Sequence, residues 1–229
     1  MKNVIITGAN GNLGTAVTTT FLDRGYKVIA VVAKEEEIKH LQPHANLEVH
    51  AVDLVNEAAS KKFIEDAIKA NGTIDVALLL VGGYAGGNIF DTSIGDVHAQ
   101  IALNFDTAYH VAQPIFSHMM NNGKGRIVFI GSRPALQAAA GKSSVAYGLS
   151  KSLLFKLAEY MNAEAKGKNV VTTVIAPSTL DTEANRKSMP KANPDDWVKP
   201  ADLAEILEFV VSDRSGTLRE PVLKVYNNA

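Results

Sequence analysis

The sequence predicts an α/β, doubly wound domain: a mostly parallel seven-stranded sheet with helices on both faces. Three observations lead there. Seven short apolar runs, at 4–6, 28–32, 47–52, 76–81, 127–130, 170–175 and 222–225, are rich in Val and Ile and, taken together, show little alternation with polar residues. That is the pattern of strands buried on both faces. Helical patterns lie between them near 13–24, 56–70, 95–121, 143–166 and 201–212, so strand and helix take turns along the chain. The first strand runs directly into a glycine-rich turn that opens a helix.

Length and composition set the outer bounds. No repeat, low-complexity tract or linker divides the 229 residues, so 1–229 reads as a single domain. Hydrophobic residues make up 46% of the chain, enough for a sizeable core. The 23 basic and 24 acidic residues nearly cancel, which argues against a nucleic-acid partner held by phosphate neutralisation. The acidic run 35–37 reads as a solvated helix start. Cysteine is absent, so this chain has no disulfide, zinc–thiolate site or cysteine nucleophile. Its six histidines form no paired metal-ligand pattern, no Gly-x-Ser-x-Gly elbow is present, and no metal site is expected. The first residues are strand-like rather than a signal peptide, and no apolar run is long enough to span a bilayer. A cytoplasmic protein without a membrane partner is the expectation. The segment 177–200, polar and carrying Pro177, Pro190, Pro194 and Pro200, reads as a long loop that lids a binding site.

The glycine turn is Thr7-Gly8-Ala9-Asn10-Gly11-Asn12-Leu13-Gly14. Glycines here permit a tight turn, close backbone approach to a pyrophosphate and close helix–strand packing, while the helix N-terminus offers N–H groups to phosphate. Gly8, Asn10, Gly11, Asn12, Leu13 and Gly14 are therefore candidate contacts to a dinucleotide. Where the second strand ends, an acid would bind the adenosine ribose of NAD. Ala33 and Lys34 stand there instead, which leans the expected cofactor to NADP(H), with NAD(H) as the alternative. Asp53, followed by Leu54, ends the third strand and is a candidate acceptor for the adenine amino group, or else a helix cap.

Tyr147 and Lys151 are spaced four apart at the start of a helix and share one face. A lysine cation stabilises a phenolate and lowers the tyrosine pKa from about 10, which suits Tyr147 to proton transfer. Ser132 closes a strand and is placed to hold a substrate oxygen beside Tyr147, or else is a turn residue before Pro134. Asn104 lies inside a helical pattern, a poor place for asparagine unless it has a specific task or a buried polar partner.

Together these residues resemble the short-chain dehydrogenase/reductase family, over essentially the whole chain. The resemblance implies a Rossmann-type fold, a nicotinamide dinucleotide as hydride carrier, and a catalytic tetrad of Asn104, Ser132, Tyr147 and Lys151. It also implies cofactor contacts from Val81, Gly82 and Gly83, and from Pro177, Thr179, Leu180 and Thr182, the last three toward the nicotinamide carboxamide. The glycine spacing matches extended members of the family, while the length matches its classical members. Where the family usually has Pro-Gly, this chain has Pro177-Ser178. The loops 81–88 and 180–190, with Trp197 following, resemble the quinonoid dihydropteridine reductase branch. That implies a planar pterin stacked on Tyr84, a polar contact from Asn185, and a homodimer (or a tetramer) built from the two long helices. The chain departs from that branch in having Tyr84 for a tryptophan, a serine at position 132, and no ribose-binding acid where the branch has one. The expected function is hydride transfer to a small carbonyl or pterin-like substrate. The alternative is a non-catalytic dinucleotide-sensing regulator on the same fold, and a sugar-nucleotide epimerase ranks last because little chain remains for a second domain.

Overall fold

The computed structural model describes residues 1–228. The chain begins with β1 (Asn3–Thr7), α1 (Asn12–Asp23), β2 (Lys27–Val32), β3 (Leu47–Ala51), α2 (Glu57–Asn71) and β4 (Val76–Leu79). It continues with α3 (Ile94–Ile101), α4 (Thr107–Asn122), β5 (Lys124–Ile130), two single-turn helices α5 (Arg133–Leu136) and α6 (Ala138–Gly141), and α7 (Val145–Glu164). It closes with β6 (Asn169–Pro177), α8 (Glu183–Ser188), α9 (Pro200–Val211) and β7 (Val222–Val225).

The strands form one sheet in the order β3-β2-β1-β4-β5-β6-β7. The expectation was a mostly parallel sheet; every adjacent pair is in fact parallel. Successive residues of a strand point to opposite faces, and both faces are dry. Ile5, Ile29, Ala77, Ile127 and Phe129 face the layer of α2, α4 and α7. Val4, Ile6, Val28, Val128 and Ile175 face α1 and α9, whose Val17, Phe21, Leu203 and Leu207 are fully buried. This two-sided burial is why the strands read as unbroken apolar runs.

Strand order reverses between β1 and β4, which pair from Val4↔Val76 to Thr7↔Leu79. The crevice beyond the carboxyl ends of those strands is where ligands bind in open α/β sheets. Thr7 Oγ1 accepts from Leu80 N at 3.1 Å and ties the two strand ends together there.

Two stretches differ from the sequence reading. The helix expected over 95–121 is broken by a π-turn, Ala102–Asp106, between α3 and α4. The segment 177–200 is not a bare loop. It carries α8 and a 3-10 turn at Pro194–Asp196, and it buries Trp197 and Val198. The C-terminal tail pins it: Asn227 Nδ2 donates to the carbonyls of Asp195 and Trp197 at 3.0 and 2.9 Å. Among the described residues no helix is long and apolar enough to cross a membrane.

Candidate active site

The glycine turn gets its shape from steric necessity. Gly8 holds a left-handed φ of 65°. A Cβ on Gly14 would lie 2.0 Å from the Gly8 carbonyl oxygen, so only glycine lets α1 seat on the turn. Gly11 stands at the N-cap of α1 with no side-chain cap, which leaves the positive end of the helix to a ligand. This is a cradle that fits a pyrophosphate. Leu13 is 8% exposed and belongs to the core, so its approach to a phosphate would run through its backbone.

At the end of β2, Ala33 and Lys34 are exposed, and the chain then turns back through a 3-10 helix, Glu35–His40. That turn brings in a residue the sequence reading missed. Glu37 Oε2 accepts from Asn10 Nδ2 at 3.0 Å and from Ala33 N at 3.2 Å. The strand end therefore carries a carboxylate, although the sequence shows none at 32–34. The only sequence signal was the acidic run 35–37, read as a solvated helix start. At the end of β3, Asp53 Oδ1 accepts from Val55 N, and Asn56, not Asp53, caps α2 by accepting from Ala59 N. Leu54 is buried, and its carbonyl meets Ser60 Oγ and His110 Nδ1.

The next strand ends build a polar cluster over β4 and β5. Asn104 is fully buried at the π-turn. Its Oδ1 accepts from Gly83 N at 2.9 Å, and its Nδ2 donates to Gly83 O, Gln100 Oε1 and Ser150 Oγ. Ser150 Oγ in turn donates to the carbonyl of Tyr147 at 2.8 Å. Lys151 is 4% exposed, and its Nζ donates to the Ile130 carbonyl at 2.8 Å. A Cβ on Gly82 would meet Asn104 Oδ1 at 2.6 Å and Lys151 Nζ at 2.8 Å, so glycine there lets both groups converge on one point.

Tyr147 sits in the first turn of α7, with its ring edge-on to Tyr84 at 5.2 Å. Burial pushes its phenol above the ordinary value, the neighbouring Ser132 hydroxyl draws it down, and Tyr84 adds to the rise. The sequence reading expected Lys151 to dominate and lower it; here desolvation outweighs every other influence. Burial also brings the Lys151 ammonium from 10.5 down to about 8. Ser132 lies near enough to act on Tyr147, yet its buried Oγ is aligned with no hydrogen-bond partner among the described residues. A buried, unpaired hydroxyl beside a partly buried phenol suits a polar atom of a ligand.

The residues of segment 177–200 have local tasks. Pro177 ends β6, the Thr179 carbonyl accepts from Val198 N, and Leu180 bridges to Val198. Thr182 caps α8, its Oγ1 accepting from Asn185 N. Asn185 was expected to offer substrate a polar contact, but its Nδ2 donates to the Leu180 carbonyl at 2.8 Å and braces this segment. Among the described residues no cluster of three or more His, Asp or Glu could hold a metal.

Comparison with known proteins agrees with this geometry. Residues 2–193 match the family model described as short chain dehydrogenase. The chain belongs to the short-chain dehydrogenase family. It is accordingly an NAD(P)-dependent oxidoreductase on a Rossmann-type fold. Among relatives, it is 30% identical to the dihydropteridine reductase of Dictyostelium discoideum, over 90% of this chain and 86% of that protein. It is 26% identical to the acetoacetyl-CoA reductase of an Acinetobacter species, over 98% and 96% of the two chains. A solved structure titled ElxO with NADP bound shares the fold at a TM-score of 0.90, with 24% identity over 98% of this chain and 96% of that chain.

Proposed function

We propose that this chain reduces a small carbonyl or a quinonoid dihydropterin-like substrate, with Tyr147 as proton donor. The observation that carries the reading is that Tyr147 has both the Ser132 hydroxyl, aligned with no partner, and the exposed ring of Tyr84 as neighbours. The dinucleotide supplies hydride when bound. Tyr147, kept protonated by burial, gives its proton to the substrate oxygen or nitrogen. Ser132 Oγ donates to the same atom and fixes it beside the phenol. Lys151, poised near neutrality, is the group from which the phenolate regains its proton. Asn104 positions Gly83 and, through Ser150, the first turn of α7. Tyr84 is 68% exposed and presents a ring on which a planar substrate can stack, consistent with the likeness to the Dictyostelium dihydropteridine reductase.

The test pairs a substrate panel with Tyr147→Phe. Purified protein should oxidise NADH or NADPH with quinonoid dihydropterin. The variant should lose roughly 10²–10⁴-fold in turnover while still binding dinucleotide. Reduction of simple ketones but not of dihydropterin would overturn the pterin half of the reading. Unchanged turnover in the variant would overturn Tyr147 as donor.

We also propose a homodimer formed through α4 and α7. Between them runs a groove of about 300 Å³ lined by Tyr109, Phe116, Leu157 and Tyr160, with Tyr160 68% exposed. Aromatic residues of this kind are enriched where subunits meet. Sedimentation of wild type against Tyr160→Glu tests it, and a monomeric wild type would refute it.

A further inference from the structure

We infer that Glu37 sets the cofactor preference of this chain toward NAD(H). The inference deepens the proposed function and rests on a dinucleotide lying along the glycine turn. In such sheets the adenosine ribose is met by an acid that takes its 2′-hydroxyl, whereas a 2′-phosphate calls for a cation. Read linearly, the end of β2 offers Ala33 and Lys34, which favours the phosphate. The fold adds a carboxylate to that strand end.

The 3-10 turn Glu35–His40 folds back over the strand end. There the Glu37 carboxylate bridges Asn10 of the glycine turn and the Ala33 amide, through bonds of 3.0 and 3.2 Å. One donor lies on the glycine turn and the other where β2 ends, the places that such folds give to the pyrophosphate and the adenosine ribose. The residue is half-buried and held from both sides, so its position is built rather than incidental. A carboxylate has about four acceptor sites, and two donors leave room for ribose hydroxyls. A 2′-phosphate entering the same space would bring a second anion against Glu37, with Glu35 and Glu36 preceding it on the same turn. Lys34 is the opposing charge, but it is exposed and its backbone is the extended entry to the turn.

The experiment needs no substrate. NADH and NADPH are titrated by fluorescence onto wild type, Glu37→Gln and Glu37→Ala, with a thermal melt of each. Wild type is expected to bind NADH at least about tenfold more tightly than NADPH. Glu37→Gln keeps an acceptor for Asn10 and Ala33 and removes the charge, so that ratio should narrow by roughly tenfold, mainly through tighter NADPH. Glu37→Ala should in addition weaken NADH. Equal binding of the two dinucleotides by wild type, preference for NADPH, or an unchanged ratio in Glu37→Gln would overturn the inference while leaving the proposed function standing. Failure of either dinucleotide to bind would overturn both.

Discussion

Replacing Lys151 by methionine should change the stability of this protein in a way that depends on pH. The side chain is 4% exposed, and its Nζ donates to the Ile130 carbonyl. Bringing its ammonium from 10.5 to about 8 corresponds to about 3 kcal/mol set against the charged folded form. Methionine carries no charge into that site. It also leaves the Ile130 carbonyl unpaired, at roughly 1–3 kcal/mol. Near pH 7 the two effects oppose each other, and the variant should be as stable as wild type or somewhat more so. The pH trend is sharper. Between pH 8 and 10.5 the unfolded lysine holds a proton that the folded one has lost, so the unfolded state binds more protons. Wild-type stability therefore rises with pH through that window, by up to about 3 kcal/mol. Seen from alkali, that gain is lost as pH falls toward 8, and below it the contribution is flat. The methionine variant has no such slope. Tyr26, pushed up to about 12 by burial and Glu208, is common to both proteins and drops out of the difference. Urea denaturation of both proteins from pH 7 to 10 measures it. A stability difference that stays constant across that range would refute the claim that Lys151 is buried at a cost.

Further outcomes follow from the same site. Ser132→Ala removes a buried hydroxyl without a partner, so its unfolding free energy in urea should hold within about 0.5 kcal/mol while turnover falls roughly 10²-fold; a matched loss of both would mean that Ser132 is structural. Gly14→Ala drives a Cβ to 2.0 Å from the Gly8 oxygen and should cost on the order of 1–3 kcal/mol, with weakened dinucleotide binding by fluorescence titration. Asn104→Ala strips partners from both backbone groups of Gly83 and should destabilise by about 1–3 kcal/mol, visible in thermal melts, with a fall in kcat larger than the change in KM. Asn227→Ala releases the lid at Asp195 and Trp197 and should raise proteolytic cutting within 177–200 while leaving the global melt nearly unchanged.

The inner strands were legible because a sheet covered on both faces favours unbroken apolar runs, and Val28 through Val32 supply one. The glycine turn was legible for a similar reason, since Gly8 and Gly14 answer to backbone geometry that any reader of the sequence can anticipate. What escaped was set by tertiary folding. Glu37 reaches the end of β2 only because a 3-10 turn doubles back, and no periodicity announces six residues of that kind. Asn185 is a polar residue in the segment 177–200, yet its amide satisfies the Leu180 carbonyl, a choice made by the local fold of that segment. The direction of the Tyr147 shift depends on how much water the fold removes, which residue types do not record. Asn104 stood out as misplaced in a helix, but the extra residue that accommodates it left no mark in the apolar pattern.

That π-turn has a consequence for how the chain tolerates length changes. A π-turn is a single added residue that the helix absorbs by widening. Deleting one residue within 102–106 would restore regular α-helical pairing from Ile94 to Asn122. The helix would gain regularity, and because the π-turn already absorbs that residue, the turns on either side would keep their places. The change would fall on the turn itself: the widening that seats the Asn104 amide against both backbone groups of Gly83 would close. A one-residue shortening here is thus a local loss under a regular exterior: secondary structure improves while the loop after β4 loses its anchor. The irregularity holds the room that Asn104 needs, and deletion removes that room without disturbing what lies on either side.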